Sequence, residues 1–146
     1  MHMANVFDVA KYILQQKGRM STWKLQKLCY YAQAWELAWV ETPLFDEDFQ
    51  AWTNGPVCPE LFHEHQGKFM IDQNDITRGN PDNLTEEQKH DIDIVIRDYG
   101  DMDPYDLREL SHQEDPWKNA REGTPDMAHS TVLITKSSIG EYYGGL

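Results

Sequence analysis

The segment from Thr22 to Val40 constrains the fold more than any other part of this chain. Ser21 or Thr22 is suited to cap a helix, and apolar residues then fall on every side of that helix: Trp23, Leu25, Leu28, Tyr30, Tyr31, Ala34, Trp35, Leu37 and Trp39. A helix that is apolar all round packs against neighbours on most of its faces. The segment is therefore predicted to be the central helix of the fold.

Signals for shorter helices lie on both sides of this segment. Apolar residues at helical spacing predict a helix over residues 4–17, which Gly18 ends. Downstream, cap residues, prolines at a first helical position and a capping box predict further helix starts. These starts are at Pro59, Thr85, Asp103-Pro104, Asp115-Pro116 and Ser137 or Ser138. Residues 71–83 are polar and contain Gly79 and Pro81, which predicts a surface loop.

Two stretches have β character. Phe49–Trp52 alternates between apolar and polar residues, and Thr131–Ile134 is rich in β-branched residues, so the two are able to pair. The chain has 146 residues, no internal repeat and no long linker, which predicts a single domain over residues 1–146. We expect an all-α or α-dominated fold: a compact bundle of several short helices around the central apolar helix, with at most one small two-stranded β element.

The charge of the chain restricts its partners. There are 25 acidic and 13 basic side chains, and the formal net charge is −12. Such a surface repels phosphate backbones, so direct binding to nucleic acid is not expected, whereas a basic protein would be attracted. An acidic surface also keeps a protein in solution, and charge alone does not separate these two roles.

Compartment signals favour the cytoplasm. The N-terminus has no basic region followed by an apolar run, and no segment reaches membrane-spanning length, so no contact with a membrane is expected. Cys29 and Cys58 do not have the spacing of a zinc site or a disulfide framework. Cys29 lies in an apolar helical stretch, where a reduced, buried thiol is expected.

Two groups of residues are candidates for a catalytic site. The histidine–acid residues are His63, Glu64 and His65, with His112, Glu114 and Asp115 further along. A helical metal site favours histidines one turn apart, and a spacing of two points His63 and His65 in different directions. Cys58 precedes a proline at a helix start, which lowers a thiol pKa in some proteins. Neither group has the partners that catalysis requires, so no enzyme, metal or cofactor is predicted; a small metal-dependent hydrolase is kept as an alternative.

Large aromatic residues are more numerous than one core of this size requires. Tyrosine and tryptophan are frequent anchors of protein interfaces because they bury much area at a low entropic cost. We therefore expect a partner protein to bind the exposed members of one aromatic set, with nearby acidic residues steering it. The aromatic candidates are Tyr30, Tyr31, Trp39, Trp52 and Phe62, and the acidic candidates are Glu41, Asp46, Glu47 and Asp48.

Three blocks of sequence resemble a known family. Residues 24–35, Lys-Leu-Gln-Lys-Leu-Cys-Tyr-Tyr-Ala-Gln-Ala-Trp, resemble the signature helix of the Panacea domain family of SocA-like, GepA-type, phage-associated proteins. Residues 43–57, with Pro-Leu-Phe-Asp-Glu and then Gly-Pro-Val, are similar to its second block. Ser111-His112 and Asp115-Pro116-Trp117 are similar to its third. The resemblance extends to Tyr142-Tyr143 and so covers nearly the whole chain.

The resemblance implies an antitoxin that neutralises a toxin by direct protein contact. The cognate toxin would be encoded by the adjacent gene, and homodimerisation of this chain is compatible with the sequence. An alternative function is that of an adaptor that forms the same complex but delivers its partner to a protease. The motif residues also have a purely structural interpretation, in which Leu25, Leu28, Ala32 and Trp35 form core and Gly55-Pro56 forms a turn.

Overall fold

The computed structural model describes residues 3–146. Within that range it has seven helices: α1 Val6–Lys17, α2 Thr22–Val40, α3 Pro59–His65, α4 Glu86–Tyr99, α5 Pro104–Gln113, α6 Asp115–Ala120 and α7 Lys136–Gly144. The same residues contain five short strands: β1 Met20–Ser21, β2 Phe49–Trp52, β3 Gly55–Val57, β4 Met70–Ile71 and β5 Leu133–Ile134. The fold is mostly α-helical, as the sequence predicts.

Most helices begin where the sequence places a cap. The Ser21 side chain accepts a hydrogen bond from the Lys24 backbone N–H, and the predicted capping box at Thr85 forms at the start of α4. Asp103 caps α5 as expected. Two predicted starts are wrong by one to three residues. Thr135 caps α7 in place of Ser137 or Ser138, and Asp115 is already helical, with Glu114 at the N-cap of α6.

The β structure exceeds the single two-stranded element predicted from the sequence. The expected pair forms, with Phe49 opposite Ile134 and Gln50 opposite Leu133. The chain also turns back after β2, and β3 pairs on its other side, so that this sheet has the strand order β3-β2-β5. A second pair joins β1 to β4. The prediction missed that pair because two-residue strands separated by about fifty residues carry no local pattern.

Helix α2 occupies the centre of the fold. It packs against α1, α4, α5 and α7 and against β3, which explains why it is apolar on every side. Leu25, Leu28, Tyr31 and Ala34 on this helix have no exposed surface. Among residues 3–146 no helix is long and apolar enough to cross a membrane.

Candidate functional site

Two of the predicted contact residues are part of the core. Tyr30 is 1% exposed and Tyr31 has no exposed surface. Tyr31 and Tyr143 donate hydrogen bonds to the Glu114 carboxylate at 2.6 and 2.8 Å, and Tyr30 lies 3.2 Å from the Tyr143 hydroxyl. Because Tyr143 donates to Glu114, Tyr30 is the donor to Tyr143. Tyr30 and Tyr31 therefore cannot be exposed anchors; they join α2 to α7 and to the start of α6.

Two polar residues of α2 hold the backbone of neighbouring loops. The Gln33 amide donates to the Phe45 carbonyl at 2.8 Å, and its oxygen accepts from the Leu44 backbone N–H at 2.7 Å. The Gln26 amide makes the same pair of bonds to the backbone of Cys58. Buried amides are stable only when bonded in this way. The glutamines of the signature helix are therefore structural clamps.

The C-terminal end of α2 is the one place where a predicted aromatic anchor and a predicted acidic residue are exposed side by side. Trp39 is 43% exposed and stacks against Trp35, with ring centroids 5.6 Å apart. Val40 is 48% exposed, and Glu41 follows as the exposed C-cap. We call Trp39, Val40 and Glu41 the α2 tip.

Glu41 has an unusual backbone conformation. Its φ of 62° lies in the left-handed region, and it is the one non-glycine residue among residues 3–146 with a positive φ. That conformation favours glycine and costs other residues roughly 1 kcal/mol or more. Many helices nevertheless end with a residue in this left-handed conformation, so Glu41 is an ordinary C-cap that places a charge two residues after the exposed Trp39.

A groove lies between the C-terminal part of α2 and α7, and Glu41 is the one residue of the α2 tip that lines it. The groove has a volume of about 720 Å³ and is lined by Leu37, Ala38, Glu41, Pro43, Lys136, Ser137, Gly140, Glu141, Gly144 and Gly145. Lys136 donates to the Asp46 carbonyl and forms an ion pair with Asp48 at 2.6 Å. Glu47 is held differently, because its carboxylate accepts from the Val6 backbone N–H. Glu41 therefore lines the groove and Asp46 and Asp48 contact its Lys136, whereas Glu47 is tied to α1.

The other two aromatic candidates pair with each other. Trp52 and Phe62 are half-buried, with ring centroids 5.0 Å apart in an edge-on arrangement. The Trp52 indole N–H is bonded to the Gln50 side chain, and its ring also contacts His129. These contacts involve β2, α3 and the segment before β5, whereas Trp39 contacts Trp35 of α2. The structure therefore divides the aromatic set between different elements.

The histidine–acid residues have separate environments. His65 is buried and lies 3.0 Å from the Gln26 amide, whereas His112 stacks on Trp117 with ring centroids 3.7 Å apart. Burial lowers the pKa of His65 and lowers that of His112 to about 4. Across residues 3–146, no group of three or more His, Cys, Asp or Glu side chains is arranged to hold a metal ion.

Both cysteines are buried and free. Burial raises the pKa of Cys58 to about 12, which is the opposite of the activation considered for a thiol at a helix start. The predicted buried thiol at Cys29 is confirmed.

Sequence reasoning missed one buried cation. Lys27 is 1% exposed in the second turn of α2, although lysine is almost never fully buried without a partner. No local pattern marked it, because its burial depends on β3 and α5, which come from distant parts of the chain.

The comparisons with known proteins give one match. The family described as "Antitoxin SocA-like, Panacea domain" matches residues 25–118, which is more than half of the chain. The matched region runs from α2 to α6 and so contains both glutamine clamps, the α2 tip and Lys27. No curated protein and no solved structure matches the chain.

Proposed function

We propose that this chain, which belongs to the SocA-like Panacea family of antitoxins, neutralises a toxin protein by direct contact through its α2 tip. The observation that carries this placement is the exposed Trp39, held by Trp35 and followed two residues later by the exposed Glu41. Packing against Trp35 limits the conformations of the Trp39 ring before a partner arrives, so less entropy is lost on binding.

The charges around the groove favour a basic partner. Glu41 and Glu141 line it, and Asp46 lies exposed beside Lys136. Lys136 is already neutralised by Asp48, so the local charge is negative. Within a chain of net charge −12, this arrangement attracts a positively charged surface and speeds the encounter with it.

The Trp52–Phe62 pair fits less well as the primary anchor. Each ring is half-buried against the other, and the polar end of the indole is already bonded to Gln50. A partner therefore gains less new apolar contact at this pair than at Trp39. We assign Trp52 and Phe62 to the edge of the interface or to the fold itself.

In this proposal the chain neutralises the toxin by remaining bound to it in the cytoplasm. Covering the toxin's active site and holding the toxin in an inactive shape both require a stable complex. The family match does not bear on the chemistry of the toxin, and the proposal is limited to a basic protein surface that accepts one tryptophan beside an acidic rim.

Co-expression with the product of the adjacent gene tests the proposal. We expect that product to stop growth alone, to be harmless with this chain, and to elute with it as a complex. The level of the toxin in the rescued cells separates the mechanisms. A toxin that persists in the complex supports direct neutralisation, whereas a toxin that disappears only when the host protease is intact supports the adaptor rival. A harmless neighbour, or rescue without a complex, contradicts the proposal.

A further inference from the structure

The interior cation Lys27 has no counter-charge. Its Nζ is buried and has no hydrogen-bond partner among residues 3–146, and it takes part in none of the ion pairs that those residues form. The charged side chain that affects its pKa is another cation, Arg108 of α5. An unpaired buried ammonium is costly, and such a group either loses its proton or pairs with a charge that a ligand supplies.

Lys27 forms part of the wall of a pocket. The pocket has a volume of about 180 Å³ and is lined by Trp23, Lys27, Asn54, Pro104, Tyr105 and Arg108. The Lys27 Nζ lies 5.3 Å from the centroid of the Trp23 ring, which forms another part of the same wall. The pocket therefore combines two cationic side chains with two aromatic rings.

The backbone is shaped around the lysine. Gly55 has a φ of +117°, and a Cβ built on it would lie 2.4 Å from Lys27 Cε and 3.2 Å from Nζ. Glycine suits this position for two reasons. It has no side chain, which leaves room for the lysine, and it adopts the positive φ without strain. The end of the Lys27 side chain is thus held between α2, β3 and α5.

The charges around the pocket favour a monoanion. Arg108 donates hydrogen bonds to the Asn54 side chain and to the Glu109 carboxylate, so Glu109 partly neutralises its charge. One ammonium without a partner and one shared guanidinium match the single charge of a carboxylate.

We infer that this pocket binds a carboxylate attached to an aromatic or other apolar body. The carboxylate pairs with Lys27 Nζ and the exposed side of Arg108, and the apolar body lies against Trp23, Pro104 and Tyr105. This site is separate from the α2 tip, and the inference does not rest on the neutralisation of a toxin.

Benzoate is a suitable probe of the full-length protein, measured by isothermal titration calorimetry at pH 6.5. Benzyl alcohol is the uncharged control, and sulfate, which is a dianion at this pH, tests the preference for a monoanion. We expect saturable binding of benzoate and at least about tenfold weaker binding of either control. A dipeptide with a free terminal carboxylate is compared with benzoate, and the dipeptide amide is its control. This comparison tells whether the pocket prefers a small free acid or the end of a peptide. Equal binding of benzoate and benzyl alcohol, or no binding of any probe, would overturn the inference.

Lys27→Met is the decisive variant, with Lys24→Met as the matched control one position outside the pocket lining. We expect Lys27→Met to lose benzoate binding and to raise the melting temperature by a few degrees, because it removes an uncompensated buried charge. Lys24→Met should bind benzoate like the parent. Undiminished binding by Lys27→Met contradicts the inference, and so does a fall in its melting temperature, because a fall would mean that Lys27 already has a stabilising partner.

The pH dependence provides a second readout. Burial, with a smaller effect of Arg108, lowers the pKa of Lys27 to about 7, so binding of a carboxylate must be accompanied by protonation of the lysine at higher pH. The titratable groups nearby are His65 on α3 and His112 on α5, and both have pKa values lowered by burial. Benzoate affinity should therefore fall as the pH rises from about 7 to about 9, with proton uptake on binding. An affinity that is constant over this range would contradict the assignment to Lys27.

Discussion

Gly55 shows how one residue position serves both the fold and the buried lysine. A methyl group at Gly55 meets Lys27 Cε at 2.4 Å and also strains the backbone at a φ of +117°. We expect Gly55→Ala to lower the free energy of unfolding by about 3 kcal/mol in urea titrations. Gly123→Ala is the matched control, because its φ of +84° imposes similar backbone strain without any atom within 4 Å in the described part of the chain. Equal losses for the two variants would exclude a contact with Lys27.

Glu36 is a buried carboxyl on the side of α2 next to α4. It is 4% exposed, and its Oε1 has no hydrogen-bond donor within residues 3–146. Burial, and then the neighbouring Asp91 carboxyl, raises the pKa of Glu36 to about 8. The folded state therefore binds a proton that the unfolded state releases between about pH 4.5 and pH 8.

Glu36→Gln should remove this pH dependence. The raised pKa means that the contribution of Glu36 to stability is fully present below the unfolded pKa and is lost as the pH rises through the folded one. We expect the variant and the parent to unfold at similar urea concentrations at pH 4.5, and the variant to be more stable by on the order of 2 kcal/mol at pH 9. A difference that does not grow with pH would show that Glu36 is not protonated in the folded protein. Glu87→Gln, which is exposed, is the control.

At the scale of elements, the Gln33 clamp fixes the segment that carries the acidic residues. Its two bonds to Leu44 and Phe45 precede Asp46 directly in the chain. We expect Gln33→Ala to lower the free energy of unfolding by about 3 kcal/mol, because two backbone groups lose their buried partner. Gln16→Ala, at an exposed position, should change it by less than about 0.5 kcal/mol. Similar values for the two variants in chemical denaturation would mean that water replaces the clamp.

Local signals were sufficient for most helix starts and insufficient for the contacts between elements. Ser21, Thr85 and Asp103 cap helices where the sequence predicts, because a cap depends on residues within one turn. The burial of Gln33 and Lys27 could not be predicted in the same way. It depends on which loop or helix arrives from a distant part of the chain, and α2 is too uniformly apolar for its pattern to distinguish one face from another.

The candidate site shows the same division between local and long-range information. Tyr30 and Trp39 have similar sequence surroundings, yet Tyr30 is covered by α7 and β2 whereas Trp39 extends beyond them. Only the packing of the whole chain decides which aromatic residue on a central helix is exposed. Lys136, a residue about ninety positions after Asp46, lines the same groove as Glu41 and contacts Asp46 and Asp48, and no local pattern connects it to these acidic candidates.

At the scale of the whole molecule, the charge of −12 should govern the rate of association. Long-range attraction between an acidic chain and a basic partner is screened by salt. We expect the association rate constant, measured by stopped-flow fluorescence, to fall about tenfold or more as NaCl is raised from about 50 to about 500 mM. The dissociation rate constant should change much less. An association rate that does not respond to salt would contradict steering by the acidic surface.

The affinity of the purified toxin for the Trp39→Ala variant, compared with its affinity for the parent chain, tests the central claim most directly. Phe69→Ala is the matched control, because Phe69 is an aromatic residue that is 74% exposed and lies outside the α2 tip. If Trp39 anchors the toxin, its truncation should cost about 2 kcal/mol, a roughly thirtyfold rise in Kd, while Phe69→Ala binds like the parent. If Trp39→Ala folds normally and keeps the affinity of the parent, the toxin binds elsewhere and the assignment of the α2 tip is wrong.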